Sequence, residues 1–554
     1  MKLKNIYETS YIVIFLSLMF FIGPGSIFNH EIAHDFPYGY MASDTFQHQV
    51  RVESIKQMGN YRYEASYISA GCEDCVGFYM PLIYHVGVLF SNSAGLETYD
   101  GLYFLIFFFG ILATILMYFI LRKFNQNIAI LSVPIMSLIF SSGSFIGFTW
   151  GGWPSIIGQF FLIGTFWAIM NIDLKYSYIL IAIMITGIVM THTSELLMVV
   201  LFIITYMIID FTRGKKIDIK KVKTFSYAAI ISFIASLYYL IIFKGTWMVV
   251  QPFSLSIQTT LDAPTFLFPD FKILMFIIGV GFIISLFFIK KMFFPVLIGI
   301  SMLIMGYGNY WGIARHAFKI RYFWPIYLSF FVGIFFYFLI SKIKKNKEYF
   351  YVAGLIIIIL LNFITIPYFP RTQAVNSSGI MNPYHWDMFK WMRANTEKDA
   401  RVLYFYGDIY GQNALLRNAF SPPHMVRNEW YFEAIQEGVI KREYPIAHLG
   451  DHHGAYYPYR SSLFSFDFRA EERGGDILTS STDDICTYDY YVIDKYVSVP
   501  AIANYNILLA QLLTSNDWID VVYSNDMVVV LKNNDITKDC IPIGGIDLNE
   551  RQTD

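Results

Sequence analysis

Long apolar runs recur along the chain and constrain its fold more than any other feature. Because lipid cannot hydrogen-bond to the backbone, a helix that crosses a bilayer needs about 20 apolar residues. The sequence therefore predicts a polytopic α-helical membrane protein with about eleven spans, at 10–29, 101–121, 127–143, 156–172, 176–192, 195–212, 225–243, 271–289, 292–306, 323–341 and 349–367. The charged fraction of 15% agrees, since soluble domains carry about 25%.

Positive residues orient the predicted helices. Cytoplasmic loops carry an excess of lysine and arginine, and every cluster of these residues falls on one face if all the runs cross. The clusters are Lys2 with Lys4, Arg122 with Lys123, Lys175, residues 213–223, Lys290 with Lys291, and residues 342–347. This pattern predicts a multi-pass protein of the cell membrane with a cytoplasmic N-terminus. It also requires that the apolar segment 78–94 stays in an external loop as an amphipathic or half-inserted element.

The composition changes sharply after residue 370. Residues 1–370 hold the apolar runs and a first external loop at 30–100, whereas residues 371–554 are polar and lack a long apolar run. In the second part, helical spacing and strand-like segments alternate: helices near 382–393 and 503–514, and strands near 401–406, 490–494 and 521–531. We therefore predict a small extracytoplasmic α/β domain at 371–554.

All four cysteines lie on the predicted external side: Cys72, Cys75, Cys486 and Cys540. An oxidising compartment favours disulfides among them, although the sequence leaves their pairing open. Cys72 and Cys75 form a Cys-x-x-Cys pair, which could also be redox-active or half of a zinc site. The sequence has no second such pair to complete a zinc site.

The first external loop carries a dense group of ionisable residues. Asp44 and His48 are four positions apart and Arg51 follows one turn later, so a helix would place all three on one face. A carboxylate there could accept a proton from an attacking hydroxyl, or could help to bind a divalent cation, Mg²⁺ or Mn²⁺, together with His48. The histidine and the arginine could contact a phosphate leaving group. The alternative is a solvated loop that caps the helix ends.

The same loop begins with a rival pattern, His30-Glu31-x-x-His34. On a helix this spacing places two imidazoles on one face for zinc, with the glutamate as the general base of a metalloprotease. The pattern is short, and no third ligand stands at a recognisable spacing. A membrane zinc metalloprotease is therefore a second hypothesis for the function.

A later external loop carries cations where the distribution of positive charge predicts few. Four side chains there could bind the phosphate of a substrate, or could reach towards the surface from a helix end: Arg315, His316, Lys319 and Arg321. Polar and aromatic residues at other helix ends are candidate contacts for a sugar or an acceptor: Trp150, Trp153, His192 and Glu195. The two tryptophans could equally be interfacial anchors.

Several segments together resemble the GT-C superfamily of glycosyltransferases, which use lipid-linked sugars. They are 43–48 (SDTFQH) with Arg51, 80–85 (MPLIYH), 148–158 (FTWGGWPSIIG) and 191–195 (THTSE). The order of one N-terminal helix, a long external loop, many helices and an external C-terminal domain is also similar. The Trp-Trp-Asp-Tyr-Gly signature of oligosaccharyltransferases is missing from the tail of the sequence. The resemblance therefore favours transfer of a single sugar over transfer of a whole glycan to asparagine.

The resemblance implies a membrane glycosyltransferase with a polyprenyl-phosphate sugar as its donor. The acceptor would be a glycan, a lipid or a protein at the outer face of the membrane. The reaction would invert the anomeric carbon, with Asp44 as general base or metal ligand and Asp35 as the second candidate. No glycine-rich loop for a nucleotide phosphate is visible, and the net charge of −1 gives no reason to expect nucleic acid.

A third hypothesis is a non-catalytic transporter of lipid or glycan, or an assembly factor. Ionisable residues within a membrane mark the pathways of ion-coupled transporters. Such residues are scarce in the apolar runs, which counts against ion-coupled transport.

Overall fold

The computed structural model describes residues 3–25, 31–41, 43–59, 75–77, 80–140, 142–192, 194–214, 218–237, 239–240, 272–311, 314–343, 348–365, 382–397, 399–405, 423–426, 428–448, 456–458, 481–497 and 500–548. The chain divides into two compact units. We call them the helical unit (Met1–His34 with Met80–Asn376) and the α/β unit (Asp35–Tyr79 with Ser377–Asp554). Segment 35–79 of the first external loop thus belongs to the α/β unit, whereas the sequence analysis placed it in the membrane part.

Helices account for most of the described chain. The first ten are α1 (Leu3–Ile22), α2 (Ser43–Met58), α3 (Leu82–Ala94), α4 (Thr98–Phe124), α5 (Gln126–Met136), α6 (Ser142–Thr149), α7 (Trp153–Met170), α8 (Ser177–Val189), α9 (Ser194–Gly214) and α10 (Ile219–Ala235). The later ones are α11 (Lys272–Phe287), α12 (Ile289–Gly306), α13 (Ala314–Arg321), α14 (Trp324–Tyr327), α15 (Ser329–Ile343), α16 (Glu348–Thr365), α17 (Pro383–Asn395), α18 (Asn428–Glu437) and α19 (Pro500–Thr514).

Among the described helices, five segments are long and apolar enough to cross a membrane: α4, α7, α9, α12 and Trp324–Lys342, which spans α14 and α15. Shorter apolar helices lie at Ile6–Ile22, Gln126–Phe140, Ser177–Val189, Ile273–Phe287 and Glu348–Leu361. Each apolar run predicted from the sequence overlaps a helix of the helical unit. Within the segment 78–94, α3 has 13 residues, which is short for a span.

Local sequence explains where several helices begin. Asn125 caps α5, because its side chain accepts hydrogen bonds from the backbone N–H groups of Asn127 and Ile128. Asp218 caps α10 in the same way. Such side chains satisfy backbone donors that have no partner within the helix.

Helix pairs that are distant in sequence hold the helical unit together. α5 packs against α15, and α4 packs against α7. One close approach is at Gly333 of α15, where a Cβ atom would lie 2.1 Å from Ser132 Oγ of α5. Small residues at such contacts let two helices approach closely in a membrane bundle.

The α/β unit is built on a seven-stranded mixed sheet. The strands of this unit are β1 (Cys75–Gly77), β2 (Val402–Phe405), β3 (Pro423–Val426), β4 (Val439–Ile440), β5 (Glu443–His448), β6 (Tyr456–Pro458), β7 (Ser481–Asp484), β8 (Tyr490–Asp494), β9 (Ile519–Ser524), β10 (Val528–Asn533) and β11 (Ile546–Asp547). The order in the large sheet is β7-β5-β3-β2-β8-β10-β9. β2 is parallel to both of its neighbours, and the other pairs are antiparallel. The α/β fold predicted for the C-terminal part is confirmed.

Three contacts attach the first-loop segment within the α/β unit. The carboxylate of Glu53 in α2 lies 2.9 Å from the guanidinium of Arg393 in α17, and Glu53 is buried. The ring of Phe36 packs edge-on against Trp386. β1 forms a two-stranded antiparallel sheet with β6. Segment 35–79 therefore shares the packing of the C-terminal part of the chain.

A disulfide joins Cys486 to Cys540 across 54 residues of the α/β unit. Both cysteines are buried in the apolar core of this unit. Arg442 lies beside the bridge and forms ion pairs with Asp484 and Asp539.

Of the other cysteines, Cys72 and the side chain of Cys75 lie outside the described residues, so their predicted disulfides stay predictions.

Replacement of both bridged cysteines by alanine tests the contribution of this disulfide. A closed loop of this length restricts the unfolded chain and stabilises the fold by about 4 kcal/mol. In the Cys486→Ala/Cys540→Ala protein we expect faster backbone hydrogen exchange in β8 and β10, measured by mass spectrometry on the full chain. Exchange in α4 of the helical unit serves as the internal control. Unchanged protection in both strands would show that the bridge adds no stability.

Candidate functional site

A buried carboxylate lies where α8 ends and α9 begins. Glu195 occupies the first turn of α9, where a negative charge is favoured by the helix dipole, and its exposed fraction is 0%. A buried charge is costly unless hydrogen bonds compensate it. Oε1 accepts from Ser155 Oγ at 2.8 Å and from Gln159 Nε2 at 2.9 Å. Oε2 lies 2.5 Å from His192 Nδ1 and accepts from Ser194 Oγ at 3.1 Å.

A cation from a distant part of the chain completes this group. Lys319 Nζ of α13 lies 2.8 Å from His192 Nε2. An ammonium group can only donate, so Nε2 accepts and the proton of the neutral imidazole sits on Nδ1, where it is donated to Glu195. Burial lowers the pKa of His192 below its ordinary value of 6.5, although the charge of Glu195 acts in the opposite direction. We call Ser155, Gln159, His192, Ser194, Glu195 and Lys319 the Glu195 cluster.

The Glu195 cluster depends on a close approach between α7 and the start of α9. At Gly158 of α7, a Cβ atom would lie 3.0 Å from Glu195 Cδ and 3.3 Å from His192 Cβ. The same helix supplies Gln159, whose Oε1 accepts from Tyr327 OH at 2.5 Å. The cluster is therefore tied to α7, α9, α13 and α14.

Sequence reasoning named His192, Glu195 and Lys319 separately but missed the residues that support them. Ser155 and Gln159 are four positions apart on an otherwise apolar helix, so they share one face. Polar residues at this spacing in a membrane helix indicate a buried polar partner. Ser155 lies within the segment 148–158, and Gln159 directly follows it, so the signal was present in the sequence. Their partner, Glu195, could not be identified from spacing.

Arg321 at the end of α13 is a buried cation of a different kind. Its exposed fraction is 4%, and its Nε and Nη1 atoms have no hydrogen-bond partner in the described part of the chain. Three tyrosines lie near enough to influence its charge: Tyr307, Tyr310 and Tyr322. Burial lowers the pKa of Arg321 below its ordinary value of 12.5, yet an arginine keeps its proton in proteins. The fork of N–H donors matches the oxygens of a phosphate.

The four cations predicted for this loop are thus not equivalent. Lys319 and Arg321 are two positions apart on α13, so they lie on different sides of the helix. Lys319 contacts the Glu195 cluster, whereas the Arg321 guanidinium lacks a described partner at two of its nitrogens. Arg315 and His316 belong to α13, but their side chains lie outside the described residues.

The two tryptophans proposed as sugar contacts differ in exposure. Trp150 is 52% exposed, which agrees with an anchor or a contact surface. Trp153 is fully buried, stacks on Tyr103 and donates its indole N–H to the carbonyl of Phe148. Both the ring and its polar atom are thus used in packing the helical unit, and the role of Trp153 as a sugar contact stays a prediction.

The first-loop residues lie in the α/β unit, and their helical spacing is confirmed. Asp44 is in the first turn of α2 and is half-buried. His48 and Arg51 lie on the same helix and are buried, and Arg51 donates from Nη1 to the carbonyl of Gln47. Asp35 is exposed and precedes α2. Their catalytic, phosphate-binding and metal-binding roles stay predictions.

The zinc protease hypothesis is not supported. His34 lies in a non-helical stretch, so the spacing of the pattern does not place two imidazoles on one helix face. Its Nδ1 atom lies 3.0 Å from Asp100 Oδ1, and its backbone N–H donates to Asp100 Oδ2 at 2.7 Å. His30 lies outside the described residues. In the described ranges no group of three His, Cys, Asp or Glu side chains is arranged to hold a metal ion.

Comparison of the structure with solved structures identifies proteins of similar fold. The archaeal oligosaccharyltransferase AglB from Archaeoglobus fulgidus, solved with an inhibitory peptide and a dolichol-phosphate, matches with a TM-score of 0.54 and 12% identity. The alignment covers 93% of this chain and 82% of AglB. ArnT from Cupriavidus metallidurans, bound to undecaprenyl phosphate, matches with a TM-score of 0.54 and 10% identity over 95% of this chain and 98% of ArnT.

A third protein of similar fold is the arabinofuranosyltransferase AftD from Mycobacteria. It matches with a TM-score of 0.52 and 10% identity, over 95% of this chain but only 40% of AftD. No family model matches the sequence, and the search of curated proteins found no match. At these identities the similarity concerns the fold.

The neutral state of His192 predicts a pH dependence of stability. Because the pKa of His192 is lowered in the folded state, the unfolded chain binds more protons as the pH falls through 6.5, and stability is lost there. We expect the melting temperature in detergent to fall between about pH 7.5 and 5.5, and to fall less in His192→Gln. His85→Gln is the comparison variant: burial also lowers the pKa of His85, so this change should remove a separate share of the fall and leave the share that comes from the Glu195 cluster. An equal fall in wild type and His192→Gln would contradict the neutral assignment.

Proposed function

Because the chain has the GT-C fold that its motifs resemble, we propose that it is a membrane glycosyltransferase with a polyprenyl-phosphate sugar as its donor. The sugar would pass to a glycan, lipid or protein acceptor at the outer face of the membrane, with inversion at the anomeric carbon. Two proteins of this fold were solved with a dolichol-phosphate and with undecaprenyl phosphate, which supports a lipid phosphate as the ligand class.

The observation that carries the proposal is the buried guanidinium of Arg321. An uncompensated charge in a protein interior costs several kcal/mol, and no described residue hydrogen-bonds to its Nε or Nη1. A phosphate would supply both the counter-charge and the missing acceptors. As the bond from the anomeric carbon to the phosphate oxygen breaks, negative charge grows on the phosphate. A fixed guanidinium stabilises that charge most when it is fully developed.

Lys319 adds a second positive charge, and its position is fixed by the Glu195 cluster. The neutral ring of His192 accepts from Lys319 and donates to Glu195, so the ammonium group is oriented by a carboxylate that it does not touch. Lys319 is partly exposed. A charge of this kind favours the approach of an anionic lipid.

Asp44 is the proposed general base. In an inverting transfer, a bond forms between the acceptor oxygen and the anomeric carbon while the bond to the phosphate breaks. The proton of the acceptor hydroxyl then passes to the carboxylate. Asp44 is partly exposed in the first turn of α2, and the buried pair of Glu53 and Arg393 fixes this helix within the α/β unit. Because the described residues form no metal cluster, we derive no step through a divalent cation.

Arg321→Met tests the phosphate contact. A hydrogen bond to a charged group contributes about 1.5–3 kcal/mol, so its loss weakens binding about 10- to 100-fold. We expect wild type to bind undecaprenyl phosphate more tightly than undecaprenol, and Arg321→Met to bind the two equally. The melting temperature of the ligand-free variant should be unchanged or higher, because an unpaired buried charge has been removed.

Arg213→Met is the matched control. Arg213 lies in the last turn of α9, whereas Glu195 lies in the first turn, and its guanidinium stacks on Phe293. It should keep the preference for the phosphate. A lower melting temperature of Arg321→Met, together with an unchanged preference, would assign Arg321 to structure and remove the main support for the proposal.

Asp44→Asn tests the general base in membranes supplied with radiolabelled polyprenyl-phosphate sugar. Loss of a general base slows transfer about 10²- to 10⁴-fold, while binding of the lipid phosphate should not change. Asp387→Asn removes an exposed carboxylate from the same unit and should transfer normally. If Asp44→Asn transfers label as fast as wild type, Asp44 is not the base. If wild type itself transfers none, a non-catalytic carrier becomes the better description.

A further inference from the structure

A cavity of the helical unit lies between α1 and α4, and neither Arg321 nor any residue of the Glu195 cluster lines it. Its volume is 410 Å³, within the range of ligand-binding pockets. Its wall is apolar along most of its length, with an ion pair of Glu8 and Arg122 at one end. A cavity with an apolar wall and a charged end fits an amphiphile.

The carboxylate of the ion pair is already saturated. Oε1 of Glu8 accepts hydrogen bonds from Tyr118 OH and from Arg122 Nε. Oε2 accepts from Arg122 Nη2 at 2.9 Å and from Gln126 Nε2 at 2.8 Å. Two lone pairs on each oxygen are thus occupied, so Glu8 has no acceptor capacity left for an amine or a hydroxyl of a ligand.

The arginine of the pair keeps donor capacity. Arg122 uses Nε and Nη2 for Glu8, and its Nη1 makes no hydrogen bond to any residue in the described ranges. The side chain is 45% exposed, so this remaining donor group is accessible. The charged end of the cavity therefore offers a guanidinium donor and no free acceptor, which favours a headgroup with acceptor oxygens, such as a phosphate, over an ammonium.

The apolar wall continues from this end along both helices. Ile12 and Leu16 follow Glu8 at intervals of four residues on α1, and Ile115 and Phe119 precede Arg122 on α4. Residues at this spacing share one helix face. From Glu8 to Leu16 the helix rises about 12 Å, which is enough to hold a substantial part of an acyl chain.

We propose that this cavity binds a glycerophospholipid of the surrounding bilayer, with its phosphate on Arg122 Nη1 and an acyl chain between α1 and α4. Charge complementarity between the phosphate and the guanidinium fixes the headgroup, and the apolar stripes bury the chain. This site is independent of the proposed donor phosphate contact at Arg321.

Native mass spectrometry of the full chain, delipidated in detergent, tests the site. The probes are dioleoyl phosphatidylglycerol and dioleoylglycerol, which differ by the phosphate-containing headgroup. Wild type should retain the phospholipid at least tenfold better than the diacylglycerol, and Arg122→Gln should lose this preference. Lys123→Gln is the matched control, because it removes the neighbouring charge, which contacts Met170 and Asn171 instead of the cavity. It should behave as wild type.

Two further variants separate the headgroup contact from folding. Glu8→Gln/Arg122→Gln removes both charges and avoids an uncompensated carboxylate, and it should also lose the preference. Ile115→Trp fills the apolar wall and should reduce retention of both lipids while the ion pair stays in place. An unchanged preference in the double variant would overturn the proposal. A last measurement adds equimolar undecaprenyl phosphate to the phospholipid-bound protein. If it displaces the phospholipid in wild type and in Arg321→Met, but not in Arg122→Gln, the cavity binds a polyprenyl lipid instead.

Discussion

A carboxylate with no exposure to solvent determines how the site end of the helical unit is arranged. Glu195 cannot be transferred from water to this environment unless donors surround it, and four side chains supply them. The requirement reaches α7 through Ser155 and Gln159, and it reaches α13 through His192 and Lys319. Each of these helices must keep its depth and rotation for the hydrogen bonds to form. Gly158 is needed at the same contact because a larger residue would push the carboxylate away.

The contrast between Glu195 and Arg321 carries the functional argument. Both are buried, but the carboxylate has a full set of partners and the guanidinium does not. A fold that can surround one buried charge with four donors could evidently do the same for another. The incomplete set at Arg321 is the basis for our proposal that a ligand supplies the acceptors. Structural ion pairs elsewhere, such as Glu53 with Arg393, show no such deficit at the carboxylate.

Periodicity and composition predicted the elements but not the long-range partners. The apolar runs located the helices of the helical unit, and short runs of strand-forming residues located β2, β8 and β10, because these signals are local. Helical spacing also placed Asp44, His48 and Arg51 on α2. The pairing of His192 with Lys319 crosses 127 residues, and no local pattern contains it. The same holds for the attachment of segment 35–79 to the α/β unit, which depends on the partner strand β6 and on Arg393.

Tertiary contacts that a sequence does not reveal overturned the zinc-site hypothesis and fixed the packing of Trp153. The His30-Glu31-x-x-His34 spacing has meaning only on a helix, and His34 instead lies in a non-helical stretch, where it contacts Asp100. Trp153 follows two glycines at a helix start, where an exposed aromatic ring is plausible. In the structure its indole N–H instead donates to the carbonyl of Phe148. In both cases a contact that is not part of the local pattern determines the surroundings of the side chain.

In the helical unit, two carboxylates and two guanidinium groups differ in how completely they are hydrogen-bonded. This difference is common to the two proposed ligand contacts. Glu8 and Glu195 each accept four hydrogen bonds from side chains, so neither carboxylate has capacity left for a ligand. Arg122 and Arg321 each keep nitrogen donors that no described residue uses. The two carboxylates are thus fully hydrogen-bonded within the protein, whereas each of the two guanidinium groups keeps a donor that could bind a ligand. A unit built in this way is complementary to phosphate attached to an apolar chain, whether that lipid is the donor or part of the surrounding membrane.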